Sequence, residues 1–258
     1  MTRVLMSARA RVVAAACTSV MLVVSTVTSP LAHAAPNSIA GMIVFLDPGH
    51  NGANDASLTK QVPTGRGGTK DCQTSGTTTN DGFPPEHTFN WDTVLLIRQM
   101  LTQLGVRTAM SRGNDNQVAA CVDERAAMAN ALKPNAIVSI HADGGPATGR
   151  GFHVNYSSPP LNEAQAGPSV QLARAMRDQM VAAGIPAANY IGSDGLYGRA
   201  DLAGLNLAQY PSVLVECGNM KKSGRLGTDG EPEGRQKYAT AVVSGIAAFL
   251  ATQPARAS

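Results

Sequence analysis

Met42-Ile43-Val44-Phe45-Leu46-Asp47-Pro48-Gly49-His50 carries a short apolar run into an acid, a turn and a histidine. Two later stretches repeat the pattern. Ala136-Ile137-Val138-Ser139-Ile140 leads into His141-Ala142-Asp143, and Ser212-Val213-Leu214-Val215 leads into Glu216-Cys217-Gly218-Asn219. Short runs rich in Val and Ile, bounded by Gly and Pro, read as buried strands of a largely parallel sheet. Such sheets place their sites beyond the carboxyl ends of the strands. His50, His141 and Glu216 are therefore expected to meet at one edge.

Outward from these strands, residues 64–80 hold almost nothing apolar to bury and read as a loop or exposed hairpin over the site. Pro84-Pro85 then precedes Glu86, and Trp91, Val94, Leu95, Leu101 and Leu104 fall near helical spacing before Gly105. This predicts a helix over 86–104 with Glu86 in its first turn. A strand is expected at 106–110, an Ala-rich helix at 118–132 stopped by Lys133-Pro134, and a strand at 151–156. Further helices are expected at 168–183, closed by Gly184, and at 235–251. Strands alternating with helices predict an α/β fold, a mostly parallel central sheet flanked by helices, in a single domain.

The first 34 residues read as a secretion signal. Arg3, Arg9 and Arg11 give a basic start, residues 12–27 are mostly apolar, and Ala32-His33-Ala34 suits cleavage before Ala35. The apolar run, broken by Ser and Thr, is short for a membrane span. Cys17 follows Ala14-Ala15-Ala16, a faint lipoprotein pattern, but most of the apolar segment lies after it. The chain has 21 basic and 18 acidic residues, and loss of three arginines with the signal leaves residues 35–258 balanced at 18 of each. No general attraction to nucleic acid remains. Of the three remaining cysteines, Cys72 and Cys121 lie in polar surroundings and form the natural disulfide of an oxidising compartment. Cys217 follows a strand and is expected to stay reduced.

Residues 35–258 contain four histidines, His50, His87, His141 and His153. By spacing alone, the two that end strands could bind metal or be structural. A catalytic zinc site takes three protein ligands, commonly two His and one carboxylate, and leaves a position to water. Glu86 is a plausible third ligand. Glu216 could equally be half of a buried ion pair, since an unpaired carboxylate ending an apolar strand is costly.

Several ordered motifs resemble a known family: Asp47-Pro48-Gly49-His50, Glu86 with Asn90, Ser111-Arg112 with Asp115, Arg125 with Ala129-Asn130, Val138 to Asp143, and Leu214 to Gly218. Together they resemble the zinc-dependent N-acetylmuramoyl-L-alanine amidases of the amidase 3 type, including the compact secreted mycobacterial ones, over about residues 42–251. The resemblance implies that His50, Glu86 and His141 bind Zn2+ and that Glu216 is the catalytic base. Asn51, Asp143 and Cys217 depart from the usual residues, and the loop before Glu86 is long; none of these removes a ligand.

The activity so implied is hydrolysis of the amide between N-acetylmuramic acid and L-alanine in peptidoglycan stem peptides, in cell-wall remodelling and turnover. The partners implied are peptidoglycan or muropeptides. The protein is expected to be secreted, to the periplasm or cell wall, as a monomer without a stable membrane span. Asp47 is read as orienting a ligand histidine or as a strand-end turn residue, and His87 and His153 as surface or core residues. Arg66, Lys70, Arg150 and Arg199 are candidates for stem-peptide carboxylates or simply a solvated face. A zinc peptidase cutting within the stem peptide would use the same ligands. A non-catalytic peptidoglycan-binding regulator would be expected to lack one of them or Glu216.

Overall fold

The computed structural model describes residues 38–79, 84–221 and 232–254, so the segment read as a signal lies outside the described residues. In chain order the elements are β1 (Ile43–Pro48), a 3-10 turn (Ala56–Thr59), β2 (Gln61–Pro63), β3 (Thr69–Asp71), α1 (Glu86–Gln103), β4 (Arg107–Met110), α2 (Val122–Ala131) and β5 (Ala136–Asp143). Then follow β6 (His153–Ser157), α3 (Glu163–Ala166), α4 (Pro168–Ala182), β7 (Leu196–Arg199), α5 (Ala203–Asn206), β8 (Ser212–Asn219) and α6 (Pro232–Ala251).

Six strands form one sheet in the order β4-β1-β5-β8-β6-β7. The three motif-bearing runs are the adjacent parallel strands β1, β5 and β8, so their ends fall together. Only β6 against β8 is antiparallel, so the sheet is mostly parallel, as the sequence predicts.

Alternation along these strands sorts side chains to two faces. Val44, Leu46, Val138, Ile140, Val213 and Val215 are fully buried with residues of α1, α4 and α6 in the main core. Truncating one of them, Leu46→Ala for instance, removes roughly 2–5 kcal/mol of stability. The opposite face carries Phe45 and Ile137 under α2 and Ala208, and then polar residues where no helix covers it.

Several local expectations shift. The helix expected at 118–132 starts only at Val122, because Cys121 is its N-cap and donates its backbone N–H to Glu124 Oε2 at 3.1 Å. The strand at 151–156 moves to 153–157, and β7, too short to show a pattern, extends the sheet beyond it. The polar stretch holds the hairpin β2–β3, pinned by the Cys72–Cys121 disulfide, with Val62 buried beside it. Cys217 is buried outside the disulfide. No helix among the described residues is long and apolar enough to cross a membrane.

Candidate functional site

His50 follows β1 in a left-handed conformation, φ 63°, which side-chain-bearing residues seldom adopt. That turn lets its Nδ1 donate to the Thr74 carbonyl at 2.9 Å and directs Nε2 to Glu86 Oε1 at 3.0 Å. His141, near the end of β5, brings Nδ1 to the same carboxylate oxygen, also at 3.0 Å. Gly49 makes this possible: a Cβ there would sit 2.2 Å from the His141 ring. Gly76, at φ 80°, likewise lets its loop lie against the His50 ring and the Glu86 carboxylate.

Glu86 enters α1 immediately after the two prolines, in the first turn. Its Oε2 accepts from the Thr77 N–H at 2.9 Å and its Oε1 from the Ala142 N–H at 3.2 Å. Burial pushes its pKa up, but the hydrogen bonds with His141 and His50 outweigh it and hold the carboxyl well below the usual range. One ligand atom each from His50, Glu86 and His141 lies within 4.8 Å of the others. Two imidazoles and a carboxylate, fixed from outside by backbone and aimed at one point, suit a divalent cation such as zinc.

Asp47 acts on this group through the backbone. Its carboxylate accepts from Ser139 Oγ at 2.7 Å, Arg125 Nη1 at 2.8 Å and Ser111 Oγ, and among the described residues it bonds neither imidazole. Arg125 then donates Nη2 to the His50 carbonyl and to Asn51 Oδ1, each at 2.8 Å, clamping the turn that carries His50. Arg112 supports the same turn through Pro48 and ties His87 and Asp115 together outside the site. His87 is thus no part of the ligand group.

A cavity of about 400 Å³ opens from the ligand group back along the sheet. Its floor is the face of the parallel strands opposite the main core, with Asp47, Ile137, Ser139, Ser212, Leu214 and Glu216 among its residues. The site therefore extends over a sheet face as well as past the strand ends. Glu216 lies beside His141 in the β5–β8 register, and burial, then Glu86 and Asp143, push its pKa well up.

The family model described as N-acetylmuramoyl-L-alanine amidase, Amidase_3, matches residues 44–248. The chain belongs to this amidase family. It is 69% identical over 234 residues to the N-acetylmuramoyl-L-alanine amidase Rv3717 of Mycobacterium tuberculosis, covering 91% of this chain and 97% of that protein. Its structure is similar to that of the N-acetylmuramyl-L-alanine amidase Ami1 from Mycobacterium smegmatis, with 72% identity, TM-score 0.82 and coverage of 84% of this chain and all of that one. The apo form of Ami1 from Mycobacterium abscessus is similar at 65% identity and TM-score 0.80, over 82% of this chain and all of that one.

Within this amidase domain the four cationic candidates separate. Lys70 and Arg199 line the cavity. Arg66 spans from the hairpin to Asn206, Ser157 and the Pro159 carbonyl, a structural latch. Arg150 is exposed, and its backbone N–H and carbonyl are both engaged by Asn189. Sequence reasoning placed a loop over the site but missed that its residues 73–77 hold His50 and Glu86. Side-chain patterns give little sign of it, because the shorter contacts, from the Thr74 carbonyl and the Thr77 N–H, are made by backbone.

Proposed function

We propose that the protein is a zinc-dependent hydrolase of the amide between the lactyl group of N-acetylmuramic acid and L-alanine in peptidoglycan. His50 Nε2, Glu86 Oε1 and His141 Nδ1 would hold the metal, and Glu216 would be the base. The observation that carries this reading is the convergence of one ligand atom from each of these three residues within 4.8 Å, beside a cavity whose floor holds Glu216. Zinc, when bound, would polarise the scissile carbonyl and acidify a water.

The rest falls to the protein. Glu216, on the cavity floor beside His141, would accept the proton of the attacking water and give it to the departing alanine nitrogen. The Thr74 and Thr77 backbone contacts keep His50 and Glu86 in place during that transfer. The sheet floor receives the substrate, with Lys70 and Arg199, both bonded to Asp201, on the cavity wall where its carboxylates would lie. Acting on peptidoglycan requires export, consistent with the basic and apolar first 34 residues.

Zinc-loaded protein incubated with muropeptides should release intact stem peptide and peptide-free sugar, identified by mass. A shortened peptide would instead indicate a peptidase, and unchanged muropeptides a binding protein.

A further inference from the structure

Glu216 Oε2, His153 Nδ1 and Asn155 Oδ1 are all buried side-chain atoms without a hydrogen-bond partner among the described residues, and all three belong to one short ladder. Where β6 runs antiparallel to β8, His153 stands directly opposite Glu216 and Asn155 opposite Leu214. Directly opposed residues project to the same face with Cβ atoms about 4.5–5.5 Å apart, within reach of an imidazole and a carboxylate. His153 and Glu216 accordingly share the influence of Asp143 and Arg199. Tyr190 and Tyr197 meet the imidazole edge to face, each with ring centroids 6.2 Å away, leaving His153 only 1% exposed. Burial pushes its pKa down to about 4, so near neutral pH the ring offers one donor nitrogen and one acceptor.

A buried polar atom left without a partner is costly, and two such atoms on facing residues have a common remedy. We propose that His153 is a positioning residue for Glu216, its Nδ1 linked to Oε2 through one bridging water, so that Oε1 is aimed into the cavity. The inference rests on the reading of Glu216 as the base. A base must stay within hydrogen-bond reach of its proton. No described group is hydrogen-bonded to Oε2, so without the water held by His153 nothing fixes the carboxylate.

The test uses zinc-loaded protein and a muropeptide substrate. His153→Phe keeps an aromatic ring between the tyrosines but has no nitrogen. Its kcat should fall about 10- to 100-fold, the usual cost of losing an outer-shell partner, with KM, zinc content and melting temperature near wild type. His153→Asn places an amide nitrogen near the Nδ1 position and should recover most of the loss. Unchanged kcat in His153→Phe would overturn the proposal, as would equal losses in the two variants. Glu216→Gln is run alongside: if it stays active, the base assignment itself fails, whereas its inactivity beside a fully active His153→Phe rejects only the positioning role. A readout that needs no folded His153 variant is the ring 15N spectrum of the metal-free protein. Glu216→Ala should move the His153 Nδ1 resonance more than Nε2, and an unmoved Nδ1 would refute the contact.

Discussion

At His141 and Glu216, adjacent in the sheet register, two kinds of loss should be separable. His141→Ala removes one of three ligands and should abolish zinc binding together with activity, because catalytic sites have few ligands to spare. Full zinc occupancy by elemental analysis would remove His141 from the ligand set. Glu216→Gln should keep zinc and fold while activity drops at least about 100-fold; loss of metal with activity would make Glu216 a ligand. Asp47 gives a third test. Burial raises its pKa, but Arg125, Ser111 and Ser139 prevail and hold it at about 2, below the ordinary 3.8. A carboxylate depressed in this way stabilises the fold above its unfolded pKa and loses that contribution as pH falls through the folded one. Wild type should therefore lose about 2 kcal/mol relative to Asp47→Asn between about pH 4 and pH 2. Parallel urea-denaturation stabilities of the two proteins across that window would contradict it.

Among the elements, the disulfide-anchored loop reaches furthest into the site. Cys72 is fixed to Cys121, the N-cap of α2, and a few residues on, Thr74 and Thr77 hold His50 and Glu86. Cys72→Ala/Cys121→Ala should cost on the order of 4 kcal/mol in the chain-entropy account of a loop this long. It should also weaken zinc binding about 10-fold or more, read by competition with a chelator; unchanged zinc affinity would uncouple the tether from the metal. The strands β1, β5 and β8 and the helix α1 were legible because apolar runs and helical spacing are local signals, and the strand-end position of His50 and His141 came with them. The family motifs brought Glu86 and Glu216 their expected roles. What stayed hidden depends on distant partners: β7 gains its order from β6, the clamp on His50 is formed by an arginine on α2, and His153 reads as an idle histidine until β6 is laid against β8.

For the whole molecule, Cys217 reports on cooperativity. It is 0% exposed within the main core, at the meeting of β8 with the helix layer. Thiol labelling of the native protein should therefore proceed only at the rate of global opening, and it should slow when zinc is bound, because a ligand held by the native state alone stabilises it. Fast labelling that zinc does not affect would place Cys217 in a locally opening region. The same strand decides more than burial. Along β8, Leu214 and Glu216 face the cavity while Val213 and Val215 face the core. Because side chains alternate with period two, pairing shifted by one residue would turn the strand over. It would drive the Glu216 carboxylate into hydrocarbon and set valine on the cavity floor. Misfolding by that single step is thus both costly and chemically sterile, and deletion of Leu214 within β8 should yield insoluble chain rather than a folded, inactive enzyme.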